Sequence, residues 1–184
     1  MVERQFARKV KIFRSDNGTE FTCLKSYFFD QGIIFQTSCT CTPQQNGRVE
    51  RKHQHILNVA RALRFQGSLP IKFWGECVLT AGYLINRTPS LILDGKTPYH
   101  VLHGVEPSYN HLRVLGSLCY AHEKTGDKMA SRSRRCIFVG YPYRKKGWRL
   151  YDLERQDFFV SRDVVFSEDV FPLAQTTDGP LIST

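Results

Sequence analysis

Thr42-Pro43-Gln44-Gln45-Asn46-Gly47-Arg48-Val49-Glu50-Arg51-Lys52 runs from a turn straight into a helix. Pro43 and Gly47 mark a loop, and Asn46 suits an N-cap. Val49, Ile56, Val59, Ala60 and Leu63 then recur at mostly helical spacing and carry the helix to about Phe65. Glu50 falls in its first turn, where the macrodipole favours an ionised carboxylate. Two roles fit that position: a metal ligand, or a simple capping acid.

Upstream stands Val10-Lys11-Ile12-Phe13-Arg14-Ser15-Asp16-Asn17-Gly18-Thr19-Glu20-Phe21. Val10, Ile12 and Phe13 read as a short strand over 10–15. Asp16 ends it, just before an Asn-Gly turn. An acid there is a turn former or a ligand. Residues 1–9 are compatible with the end of a helix. Residues 20–31 read as a short helix with Leu24, Tyr27 and Phe28 as its apolar face and Gly32 at C′. Ile33-Ile34-Phe35-Gln36 reads as a buried strand, and 38–46 as a loop.

Taken together, the strand-end Asp16 and helix-start Glu50 resemble two of the three carboxylates of a DDE-type integrase core. Arg-Ser-Asp-Asn-Gly-Thr-Glu-Phe and Thr-Pro-Gln-Gln-Asn-Gly-Arg-Val-Glu-Arg-Lys look like phrases of copia-type retrotransposon integrases. The likeness continues in order through Phe73-Trp74, Tyr83-Leu84-Ile85-Asn86-Arg87, Gly95-Lys96-Thr97-Pro98-Tyr99 and Leu112-Arg113-Val114-Leu115-Gly116. It ends with Cys136-Ile137-Phe138-Val139-Gly140-Tyr141, Gly147-Trp148-Arg149-Leu150-Tyr151-Asp152 and Ser161-Arg162-Asp163-Val164-Val165-Phe166. The resemblance implies an α/β fold: a truncated RNase H-like integrase core over 1–104, then a small all-β SH3-like barrel over 105–171. Residues 172–184, rich in Pro, Thr, Ser and Gly, read as a linker or disordered tail.

The resemblance also implies chemistry. The intact enzyme would process DNA ends and transfer strands, with Mg²⁺ (or Mn²⁺) held by carboxylate oxygens. Asp16 and Glu50 would be the second and third ligands. A strand-borne first Asp is not found upstream, nor is the family's His/Cys zinc module, so this chain alone is expected to be inactive. The Asp16–Glu50 interval is about two residues shorter than the family pattern, and removing two turns a helix face by roughly 200°. A non-enzymatic DNA-binding remnant and a degenerate element-derived reading frame are the alternatives. Expected partners are DNA, the remainder of the Pol polyprotein and further copies of the chain. The expected setting is intracellular, nuclear or cytoplasmic, and not secreted.

Ser68-Leu69-Pro70 opens a second helix, with Ser68 as cap and Pro70 near N1. Phe73, Trp74, Cys77, Val78, Ala81, Leu84 and Ile85 form its apolar stripe, a core face. Arg87-Thr88-Pro89-Ser90 ends it, and Thr97-Pro98 starts a short turn to about His103. Gly104 to Asn110 is linker-like and marks a domain boundary. Beyond it, strands read at 112–121, 135–141, 148–152, 158–160 and 164–166.

The 184 residues carry a formal charge of +9, which favours a polyanionic partner. Residues 128–149 hold no acid. There Arg132, Arg134, Arg135, Arg144, Lys145, Lys146 and Arg149 are candidate phosphate contacts, interleaved with Phe138, Tyr141, Tyr143 and Trp148. Arg48, Arg51 and Lys52 flank Glu50 and could bring a DNA backbone to the metals; on an exposed helix end such residues also serve solubility alone. Six dispersed cysteines without a Cys-x-x-Cys pair argue against a disulfide framework and a zinc site. No apolar run reaches membrane-spanning length, and the charged start lacks the apolar stretch of a signal peptide.

Overall fold

The computed structural model describes residues 8–15, 18–37, 47–122, 133–143 and 145–174, and of Arg48 only the backbone. It divides into two compact units, Met1–Gln54 and His55–Thr184. The expected N-terminal helix end, the 38–46 loop with Asn46, and the tail lie wholly or mostly outside the described residues.

The first unit contains β1 (Ile12–Ser15), α1 (Thr19–Thr22), α2 (Lys25–Asp30) and β2 (Ile34–Thr37). The strands pair in parallel, with Ile12 opposite Ile34 and Phe13 opposite Phe35. Parallel neighbours need a crossover, and the two short helices lie within it. Alternation along each strand puts Phe13 and Phe35 on one face. Both stack on Phe28 of α2, at 4.8 and 5.4 Å between centroids. Gly32, at φ +65°, follows α2. The single helix expected over 20–31 is two helices, broken at Cys23 and Leu24. The strand expected to be buried is not: Ile34 is 58% exposed, because no described residue layers over that face of the pair.

α3 (Gly47–Gln66) begins in the first unit and continues into the second. There follow a 3-10 turn (Ile71–Phe73), α4 (Trp74–Ile85), a 3-10 turn (Leu91–Leu93) and α5 (Pro98–His103). Thr97 caps α5, its Oγ1 accepting from the His100 N–H at 3.0 Å. Ser68 does not cap a helix as expected; it sits at φ +50°, and the chain enters α4 through the 3-10 turn instead. That tighter turn changes the phase of the stripe. Phe73, Cys77, Ala81 and Ile85 are buried, while Trp74 is exposed.

The remaining elements are β3 (Leu118–His122), β4 (Ser133–Gly140), β5 (Trp148–Asp152), β6 (Phe158–Ser161) and β7 (Val164–Ser167). The first of these starts at Leu118 rather than Leu112, since Leu115 and Gly116 form a turn. The sheet is antiparallel, in the order β6-β5-β4-β3-β7. β6 and β7 occupy opposite edges, yet only Arg162 and Asp163 join them. In a flat sheet the edges would stand about 19 Å apart, at four strand spacings. Three residue steps reach only about 10 Å, so the sheet curls into a barrel. Its ladder slips between Phe138 and Gly140, a bulge that bends β4. At Gly140, φ +134°, an added Cβ would fall 2.7 Å from Thr80 Oγ1 of α4; glycine lets the helix lie against the strand. One buried cluster unites Ala60, Leu69, Phe73, Cys77 and Ala81 with Leu115, Phe138, Leu150 and their barrel neighbours. Residues 104 and 105, where the sequence suggests a boundary, both fall inside this unit.

Candidate nucleic-acid interface and carboxylates

Glu50 is exposed in the first turn of α3, as its spacing implies. Arg51 and Lys52 follow it, also exposed. Asp16 lies outside the described residues, and so does the side chain of Arg48. Among the described residues, no three His, Cys, Asp or Glu side chains come together to hold a metal ion. Hard cations take several oxygen ligands, so Glu50 by itself does not make a site.

The basic stretch sorts into two groups. The stretch holds no acid of its own, but the fold supplies several. Arg134 Nε lies 2.9 Å from Asp152 Oδ2, and its guanidinium sits 4.5 Å above Phe159. Asp152 is buried, which pushes its carboxyl up. The N–H groups of Arg155 and Glu154, donating at 2.9 and 2.8 Å, and the charge of Arg134 outweigh burial and hold it below the usual range. Arg149 Nη2 lies 3.4 Å from Glu76 Oε1 on α4, with Phe158 beneath it at 5.0 Å. Arg134 thus joins β4 to β5, and Arg149 joins the barrel to α4. Arg135 on β4 and Lys145 and Lys146 in the β4–β5 turn are exposed. Arg132 and Arg144 lie outside the described residues.

A polar aromatic cluster stands beside that turn. Tyr83 of α4 and Tyr141 stack at 4.0 Å. The Tyr83 hydroxyl meets His111 Nε2, and Trp148 Nε1 donates to the His111 carbonyl at 2.9 Å. Burial raises the pKa of both tyrosines. Burial, with the charges of Arg87 and Arg113, lowers that of His111, which favours the neutral ring. Tyr141 and Trp148 stand out in the sequence as aromatics among cations. Tyr83 and His111 carry no such local signal, because they come from separate segments.

The retroviral polymerase SH3-like domain model matches residues 117–179, a span that includes all five barrel strands. Over 95% of its length the chain is 36% identical to the retrovirus-related Pol polyprotein from transposon RE1 of Arabidopsis thaliana. Over 91% it is 41% identical to the retrovirus-related Pol polyprotein from transposon TNT 1-94 of Nicotiana tabacum. It spans only 12% and 13% of the lengths of those relatives. A cryo-EM structure of a simian T-cell lymphotropic virus intasome in complex with PP2A regulatory subunit B56 gamma shares 15% identity at TM-score 0.44. That likeness covers 87% of this chain and 60% of the other.

Proposed function

Because this chain belongs to the copia-type retrotransposon Pol polyproteins, we propose that it is a stretch of their integrase region. Residues 1–104 would be the later part of an RNase H-like core, and 105–171 the SH3-like module. The intact region would process DNA ends and join them to a target by metal-dependent transfer. Glu50 and Asp16 would be two of its three carboxylates. Bound Mg²⁺ or Mn²⁺ would supply activation of the attacking oxygen and stabilisation of the leaving one. Of the two, Glu50 is described and lies exposed in the first turn of α3, and a site would call for Asp16 and a third carboxylate as well. The chain alone is expected to bind DNA without cutting it.

The observation that supports this reading most is the SH3-like match to the barrel, whose β4–β5 turn exposes Lys145 and Lys146. With Arg135 these cations would neutralise phosphates, giving affinity that falls with salt. The remainder of the Pol polyprotein and further copies of the chain are the partners this implies, with the nucleus as the place of action.

The test is a chimera in which this chain replaces the matching stretch of the transposon RE1 polyprotein, scored by new genomic insertions. Insertion above background, lost on Glu50→Gln or Asp16→Asn, is the expected result. A chimera that is processed normally but inserts no better than its Glu50→Gln variant would overturn the catalytic assignment. For the chain alone, metal-dependent nicking would overturn the expected inactivity.

A further inference from the structure

A cleft of about 430 Å³ opens in the second unit, walled by Tyr141 and Trp148 and rimmed by Lys145, Lys146 and Arg162. We propose that this cleft takes one unpaired nucleotide of a DNA strand, its base against the aromatic wall and its phosphate on the cationic rim. This rests on the DNA-binding reading above and adds to it a preference for single-stranded or frayed DNA.

The volume lies in the roughly 300–1,000 Å³ range of sites for single small ligands. Of the residues lining it, three are cations and none is a carboxylate. The rim is shaped by the backbone. Gly147, at φ +118°, holds the β4–β5 turn so close to the β6–β7 turn that an added Cβ would fall 2.5 Å from the Ser161 carbonyl. That approach sets Arg162 beside the lysines. His111, also in the lining, is held toward its neutral form, so the positive charge of the lining comes from its three cations. Tyr83 has one ring face on Tyr141 at 4.0 Å and Arg87 at 3.5 Å from its centroid. A base therefore meets Trp148, Tyr141 and ring edges, and does not slot between the two tyrosines.

A duplex keeps its bases stacked and offers a protein surface chiefly its phosphates. It would use the exposed cations and leave the aromatic wall empty. Rings combined with cations are the chemistry of single-strand sites, where stacking and phosphate neutralisation act together. An acidic peptide would satisfy the rim but has no planar ring for the wall.

The chain has two tryptophans, and Trp74 is 60% exposed, so Trp74→Phe leaves Trp148 as the reporter. Titrations of this variant would use a short oligothymidylate, a blunt duplex and an oligoglutamate. Oligothymidylate is expected to quench Trp148. Adding Arg162→Ala removes one rim cation and should weaken oligothymidylate and duplex binding alike, by about threefold each. If the duplex binds while oligothymidylate neither binds nor quenches, the cleft proposal falls and the DNA-binding reading stands. Quenching by oligoglutamate without quenching by oligothymidylate overturns the proposal in favour of a peptide. Failure of both nucleic acids to bind overturns the cleft and the DNA-binding reading together.

Discussion

The two units differ in how far they gather their apolar residues into a core. In the second, helix residues from Ala60 to Ala81 and barrel residues from Leu115 to Tyr151 close around one another. In the first, Phe28 is the only buried apolar side chain among the described residues, while Ile12, Leu24, Tyr27, Phe29 and Ile34 stand in the open. The contrast bears on function. Glu50 belongs to the open unit, and the exposed barrel cations belong to the closed one. Phosphate contact by flexible lysines tolerates loose placement, whereas metal ligands need positions held to about half an ångström. DNA binding can thus rest on the closed unit alone, while catalysis waits on whatever completes the open one.

The largest effect should come from the closed core. Phe138 is fully buried, and Phe138→Ala is expected to cost about 4 kcal/mol in denaturant unfolding. A loss under about 1 kcal/mol would mean the core is looser than its burial implies, and the contrast between the units would shrink. Asp152→Asn comes next, at about 2 kcal/mol, since it removes the charge from two N–H bonds and the Arg134 pair. The sign of its pH dependence follows from the depressed carboxyl. Stabilisation is full above the ordinary carboxylate pKa and is lost as pH falls through the lower folded value. The gap between wild type and Asp152→Asn should therefore be widest near neutral pH and narrow below about pH 4. A constant gap would place the role of Asp152 in shape rather than charge.

What the sequence shows and hides follows the reach of each interaction. Strand β5 reads at its observed bounds, and the short turn read from Thr97-Pro98 to about His103 is where the helix Pro98–His103 stands, because alternation and capping are local signals. Trp74 is misplaced in the stripe because a 3-10 turn changes the phase, and the sequence around Pro70 does not announce it. Burial of β2 is misjudged because an apolar run does not say whether anything covers it. The basic stretch shows its cations but not their partners. Glu76 lies 73 residues from Arg149, so only the fold separates that arginine from Lys145 and Lys146. Glu50 is legible as a first-turn acid; whether it meets Asp16 is not.

Phe28→Ala should be milder on the main unfolding transition than either barrel change, at about 1 kcal/mol or less, because its partners Phe13 and Phe35 belong to the open unit. Its signature is local: amide exchange across β1 and β2 should accelerate while β3 to β5 stay protected. A shift of the main transition as large as that of Phe138→Ala would show the two units unfolding as one.

The smallest expected effect on stability is the sharpest test of the open face. Ile12 and Ile34 sit opposite each other in the parallel register, 49% and 58% exposed. Threonine keeps the branched Cβ that suits a strand and replaces apolar surface with a hydroxyl. If the face is open, Ile12→Thr with Ile34→Thr should move stability by no more than about 0.5 kcal/mol. The same pair should reduce self-association in sedimentation, since apolar side chains beside a strand edge that no described residue pairs favour edge-to-edge pairing. If the chain covers that face itself, two isoleucines leave a buried layer, and the loss should reach several kcal/mol at the roughly 1.5–3 kcal/mol of a buried side chain each. A large loss without any change in association would remove the contrast between the units, and Glu50 would then stand on a unit as closed as the barrel.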